Sequence, residues 1–422
     1  MAVFEFLMNE ILSLPEVLVG LIVMIGLILQ RAEIARIFTG TVKSIIGFLI
    51  LGAGAAVIVE SLDSLGGIIQ DRFNIQGVIP NNEAIVGVAQ QTLGAETALI
   101  MGFGFIANIL FAKFTPFKYI FLTGHHTFFM AALLSATLAA SGMSGAPLVI
   151  TGTIILGALM VLVPAMAQPF MRQVTGGNDV AIGHFGTLGY VSAGLVGKAI
   201  GNKEKSTEEM EIPEKWSFLR DSLVSTALTM IVMFLILVLV AGPDVVGEYA
   251  GDQNYIMFGL MQGITFAAGF SIIMAGVRMI LTEIVPAFKG IAEKLVPGAK
   301  PALDVPIVFP YAPTAVIIGF ISSFIGGLIG MFMLGIFSLA LIIPGLVPHF
   351  FTGAGAGVFG NATGGRIGAA AGGFVNGILI SFIPAFLLPV LGDLGFQNTT
   401  FGDSDFGVVG ILVSFFANLF GG

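Results

Sequence analysis

The stretch QVTGGNDVAIGHFGTLGYVSAGLVG, residues 173–197, decides how this chain is folded. It is apolar and long enough to cross a bilayer, whose ~30 Å hydrocarbon core needs about 20 helical residues. It is also rich in glycine and carries Asn178, Asp179 and His184. Read as a full crossing, it reverses the side on which every later loop lies. Read as a re-entrant hairpin, entering and leaving on one face, it leaves those loops in place. Non-helical backbone survives at membrane depth only where protein or a water-filled cavity covers it. The hairpin reading therefore implies a polar cavity.

The rest of the chain sets the choice. It has 422 residues, 56% hydrophobic and 10% charged, with a mean hydropathy of +1.01. Soluble domains carry about 25% charged residues, so this chain reads as an all-α polytopic membrane protein. Its 58 glycines suit helices packed closely in lipid, and broken helices. The absence of cysteine excludes disulfides, thiolate metal sites and a cysteine phosphocarrier on this chain. A net charge of −8 without a basic run gives nothing to hold nucleic acid. The first residues lack a basic n-region and an A-x-A-like site, so no cleaved signal peptide is expected.

Charge-poor segments predict about eleven spans, at 15–31, 43–60, 94–113, 118–141, 146–171, 216–242, 253–277, 312–335, 337–358, 367–391 and 406–420. Residues 1–13 read as a short interfacial helix. Basic residues occupy alternate loops: Arg31, Arg36 and Lys43; Lys113 and Lys118; Arg172 through Arg220; Arg278 through Lys300; and Arg366. The opposite loops hold Glu60, Asp63 and Asp71, then Asp244, Glu248 and Asp252, then Asp393, Asp403 and Asp405. The positive-inside rule then puts the N-terminus outside and the C-terminus in the cytoplasm, provided 173–197 is a hairpin.

The polar link 198–215 divides the chain near its middle. Five spans precede it and begin outside; five that follow begin inside. That is the pattern of an inverted repeat, with a first repeat at 1–172, the hairpin at 173–197, a second repeat at 216–392 and a terminal helix at 406–420. Each half has a proline-interrupted polar segment after its second span, GVIPNNEAIV (77–86) and ALDVPIVFPYAP (302–313), and such interruptions point to a midplane site. The run IIPGLVPHFFTGAGAGVFG (342–360) reads as a second re-entrant element, with His349 lining it or at its tip. Residues 278–296 read as a basic amphipathic helix on the cytoplasmic interface.

Ionisable residues at membrane depth are expensive and usually functional. His125 and His126, in LTGHHTFFM, stand in a stretch without Asp, Glu, Lys or Arg from 119 to 171. The plain reading is imidazoles satisfied by nearby backbone or hydroxyls; the functional one is hydrogen bonding to a polar solute, His125 being the better placed. His184 in the hairpin favours solute binding, and Asp179 a cap at its mouth. Glu83 reads equally as a solvated loop acid or as part of a helix start lining a cavity. Asp304 reads as a helix cap or as a residue at the pathway's edge. HExxH and Walker A patterns are absent, and the bare HH pair is weak evidence for a metal.

Several stretches together carry a family resemblance: VKSIIGFLILGAG (42–54), FLTGHH (121–126), IGHFG (182–186), RDSLVSTA (220–227), GVRMILTEIVPAFKGIAEKLVPGA (276–299), LDVPIVFPYAPTAVIIGF (303–320) and LIIPGLVPHFFTGAGAGVFGNATGGR (341–366). In these, and in their order, the chain resembles the membrane-embedded IIC subunits of the ascorbate-type phosphotransferase system (PTS). The resemblance implies eleven transmembrane segments, two re-entrant hairpins, and a homodimer in which a V-shaped scaffold carries a moving core, as in an elevator. It implies inward passage of the solute and phosphorylation by a separate cytoplasmic IIB subunit, charged through IIA, HPr and enzyme I. No cofactor is implied. By motif, the solute-binding positions are Asn82, Glu83, His125, His126, Phe129, His184, Phe185 and Asp304. Three depart from the ascorbate pattern: Phe129 and Phe185 stand where that pattern has Gln, and Glu83 where it has an aromatic hydroxyl. The implied solute is ascorbate or a related pentose, hexose or polyol. The competing expectation is a proton- or ion-coupled secondary transporter on the same fold.

Overall fold

The computed structural model describes residues 14–73, 77–210, 222–392 and 399–420. The interfacial helix expected at 1–13 and the end of the 198–215 link lie outside them. The described chain is mostly helical, with five short strands of two to four residues among its connecting segments. Its helices are α1 (Pro15–Leu29), α2 (Ile34–Phe73), α3 (Asn82–Phe114), α4 (Gly124–Ala140), α5 (Gly145–Thr175), α6 (Thr187–Ile200), α7 (Ser222–Ala241), α8 (Pro243–Ala250), α9 (Tyr255–Lys294), α10 (Pro313–Ile336), α11 (Leu346–Leu387) and α12 (Ser404–Phe420). Among the described residues, six helices are long and apolar enough to cross a membrane, and three shorter apolar ones accompany them. The chain is a multi-pass membrane protein.

Glycine decides two features of this packing. Gly365 has φ +59°, a conformation glycine reaches without a Cβ penalty, and there α11 breaks. A Cβ on Gly360 would lie 2.1 Å from the oxygen of Gly368, so the two arms, 346–364 and 366–387, fold back on each other. The arms pack against α10, where a Cβ on Gly319 would lie 2.3 Å from the oxygen of Gly353. Small residues at such contacts let backbones meet where lipid offers no hydrophobic drive. The first arm therefore passes through the molecule. In the 342–360 run, expected as a second re-entrant element, a helix follows Gly345 and continues to the break at Gly365.

Four helices form one body. The 40-residue α2 and the 40-residue α9 lie along each other, with α1 and α7 beside them. Helix α9 continues through Pro286 to Lys294. The amphipathic 278–296 segment is thus no separate surface helix: Gly26 packs on the Ala287 backbone, and Arg36 reaches the buried Glu283 at 2.6 Å. The remaining long helices form a second body, and the strands lie within it.

The strands pair across the chain's midpoint. β4 (Lys300–Leu303) runs parallel between β2 (Tyr119–Phe121) and β3 (Ala181–Ile182). β1 (Ile79–Pro80) pairs in parallel with β5 (Thr399–Thr400), and Val78 bridges to Ile342. Each half thus lends one strand to two segments of the other.

Two broken elements meet at their tips. Residues 176–186 run in beside β4, and α6 leads back to the end where Gly201 packs on Gly364. β5 runs in beside β1, and α12 leads back toward the opposite end, where it borders Leu138 and Met143 at the α4–α5 turn. Gly410 packs on Leu133, Thr137 and Leu387, so α12 runs parallel to α4. The last span was expected to bring the chain to the end with the basic loops. In the structure α12 departs from the tip of α6 toward the other end, because strand pairing at Thr399–Thr400 holds its start deep in the protein.

Candidate functional site

A cavity of about 270 Å³ lies between the two bodies, which pack directly on each other elsewhere through Phe266, Phe320 and Phe350. One wall is α2, through Phe48, Leu51, Gly52, Ala55, Val59 and Asp63. The other wall is polar and brings together Asn82, His125, His126, His184, Asp304 and Asp403, with Phe129 as an apolar face. A smaller recess shares Asp63, Pro80 and Asn81 with it and continues along α2 past Gly66 and Gln70.

Each polar group is placed by a chain break. The segment IPNNEA is a helix start: the Asn81 side chain accepts from Ala84 N at 2.8 Å and caps α3. Asn82 Oδ1 then accepts from Gly402 N at 2.8 Å, and its Nδ2 donates to Asp403 Oδ2 at 3.2 Å. Asp304 caps the 3-10 turn Val305–Tyr311, accepting from Val305 N at 2.7 Å. His125 and His126 open α4 directly after β2. Asp405 N donates to Phe185 O, and its carboxylate accepts from Leu188 N at 2.8 Å and Thr187 N at 3.2 Å. The start of α12 thereby caps α6, and the two helix N-termini converge beside the cavity. Broken helices at a midplane site in transporters have this arrangement.

The histidines face acids. His125 Nε2 lies 3.4 Å from Asp304 Oδ2, and His184 Nε2 lies 3.8 Å from Asp304 Oδ1. His126 Nε2 lies 3.9 Å from Asp403 Oδ2. The His126 and His184 rings sit 3.9 Å apart between centroids. Backbone donors define two of these rings. Gly186 N donates to His184 Nδ1 at 2.9 Å, and the Tyr190 hydroxyl lies 2.9 Å from the same atom. Phe185 N donates to His126 Nδ1 at 3.4 Å. A ring accepting at Nδ1 is neutral and carries its proton on Nε2. Both therefore present an Nε2–H to the cavity.

The sequence model of the family described as PTS system sugar-specific permease component, EIIC-GAT, matches residues 10–405. The chain belongs to this family. It is also similar to a Mycoplasma pneumoniae (strain ATCC 29342 / M129 / Subtype 1) protein named ascorbate-specific PTS system EIIC component, at 28% identity over 425 aligned positions. That alignment covers 84% of this chain and 62% of the relative, so the chain spans less than two thirds of the relative's length.

In this member of the EIIC-GAT family, most expected site residues reach the cavity. Phe185 does not. Its ring is fully buried, stacked on Phe121 with centroids 5.0 Å apart, and packs against Phe406 behind His126. A strand–turn register that aims His184 inward aims the next side chain away. Glu83 is the second residue of α3; its side chain lies outside the described residues. His349 is buried against α10, with Nδ1 2.9 Å from Ser323 Oγ, and does not line the cavity. Asp403 is the member that the sequence alone did not single out: it resembled an outer-loop acid, and only the β1–β5 pairing carries it inward.

Two trios, His125–His126–Asp304 and His126–His184–Asp403, lie close enough to hold a metal ion. Their hydrogen bonding fits that use poorly. Metal-bound histidines donate their other ring N–H to an acceptor, whereas His126 and His184 accept from backbone N–H at that position. The arrangement is a set of fixed donors and carboxylate acceptors, the kit for binding hydroxyl groups.

Proposed function

We propose that this chain is a sugar-translocating IIC permease subunit of the ascorbate-type PTS. It moves ascorbate or a related sugar or polyol inward for phosphorylation by a separate IIB protein, itself charged through IIA, HPr and enzyme I. No phosphotransfer occurs on this chain. The observation that carries the proposal is the cavity between α2 and the tips of α6 and α12, with neutral histidines and two carboxylates on one wall. His125, His126, His184, Asn82 and Asp304 bind solute hydroxyls, Glu83 adjusts specificity, and Phe129 forms an apolar wall.

The crossed strand pairing supports two inverted repeats, with 181–200 the counterpart of 399–420. These are the two re-entrant elements, which replaces both the 342–360 hairpin and the eleventh span of the sequence reading. The bodies flanking the cavity support an elevator: α1, α2, α7 and α9 form the scaffold of a homodimer, and the rest moves. With the basic loops cytoplasmic in the plasma membrane, α1 begins outside and α12 ends outside. The recess running along α2 toward Phe73 then opens outward.

Asp304 and Asp403 beside histidines also suit the second reading, a proton-coupled transporter. Uptake into right-side-out vesicles separates the two. Solute is expected to appear inside as its phosphate ester only when IIB and its phosphate donors are supplied. Accumulation of unmodified solute driven by a pH gradient would overturn the PTS assignment.

A further inference from the structure

Asp403 is assigned no part in binding by its sequence context, yet the residue is 3% exposed and lines the cavity beside His126. We propose that Asp403 is a specificity-determining residue: with His126 it forms a hydroxyl clamp matching the one made by His184 and Asp304, and together they select an uncharged polyhydroxy solute over an anion. The inference rests on the sugar-permease reading above and narrows it.

The geometry of the two pairs is nearly the same. Nε2 and carboxylate oxygen are 3.9 Å apart in His126–Asp403 and 3.8 Å apart in His184–Asp304. Both gaps are too long for a direct hydrogen bond. One hydroxyl oxygen fits each, about 2.8 Å from both atoms, accepting from Nε2–H and donating to the carboxylate. Only a group with both an acceptor lone pair and a proton completes the bridge, and a hydroxyl has both. The donor direction is fixed, because Phe185 N and Gly186 N occupy the two Nδ1 atoms. Asn82 Nδ2 and Gly402 N hold the Asp403 segment in register with α3. With His126 and His184 neutral, the cavity gathers three carboxyl groups, Asp63, Asp304 and Asp403, with His125 beside Asp304, among apolar residues that include Phe48, Leu51, Phe129 and Phe351. A negative solute meets like charges in a medium that screens them weakly. The rival role for Asp403 is to cap α12, which affects stability but not the ranking of solutes.

The test is a calorimetric and thermal-shift titration of the purified full chain with xylitol, sorbitol, D-xylose, D-glucose and ascorbate. At least one neutral compound is expected to bind the wild type tenfold or more tightly than ascorbate. Asp403→Asn is expected to weaken the preferred neutral compound about tenfold and to narrow or invert the gap to ascorbate. Ascorbate ranking first on the wild-type protein overturns the inference and leaves the permease reading standing, and it does so even if the variant fails to fold. An unchanged ranking in a folded Asp403→Asn variant assigns Asp403 to capping and also overturns it. Binding of no compound by the folded wild type overturns the inference and the sugar reading together.

Discussion

The residue scale separates neighbours that look alike in sequence. His184 and Phe185 are adjacent, yet one faces the cavity and the other stacks on Phe121. Carried over by motif, Phe185 stood as a solute contact; its packing makes it a support for the His126 ring. Phe185→Leu is expected to lower stability by about 1–2 kcal/mol, measured as a fall in melting temperature. The ranking of solutes should stay as in the wild type; a changed ranking would return Phe185 to the binding site. His125, His126, His184 and Asp304 were legible in sequence because ionisable groups in apolar runs have few structural excuses. Asp403 was not, since it follows a polar stretch that resembles any exposed loop.

At the scale of elements, the two broken helices depend on each other. Thr187 N and Leu188 N have no partner in the first turn of α6 and receive one from Asp405, more than 200 residues away. Asp405→Ala removes both acceptors at a buried helix start. A loss of about 1–3 kcal/mol is expected, together with weaker solute binding, because the segment that positions His184 loses its anchor. Calorimetric melting with and without solute checks both; a variant that binds normally would show that the α6 tip is held by other contacts. Helices α5 and α10 match the spans read from hydropathy within a few residues, whereas α2 and α9 run well beyond the spans expected at 43–60 and 253–277. The terminal segment reads as a span because α12, at 17 residues, is about as apolar as a short crossing helix, while its start lies beside the tip of α6.

For the whole molecule, the course of the last helix is the point at which sequence and structure part. Charge counting put the final residues in the cytoplasm; the course of α12 parallel to α4 puts Asn418 beside the α4–α5 turn, at the end away from the basic loops. The chain has no cysteine, so a single Asn418→Cys reports one position. A membrane-impermeant maleimide is expected to label it in intact cells without permeabilisation. Labelling only after permeabilisation would restore the eleventh span. The same molecule-wide view explains the cavity: neither half encloses it, and α2 closes a site built by the other body.

Composition and hydropathy determined that this is a multi-pass membrane protein, and charge alternation and the position of the histidines drew attention to 173–197 and to a polar cavity. These properties are local and additive, so they survive in a linear reading. The tertiary structure alone decided that the second broken element is 399–420, that Phe185 turns away, and that Asp403 turns in. Each depends on partners some sixty to more than three hundred residues distant: Ile79 with Thr399, Phe121 with Phe185, Asn82 with Asp403. In a membrane interior, buried backbone N–H and C=O groups must be paired within the protein. Where a helix breaks, distant strands supply the pairs, and hydropathy carries no record of which strands they are.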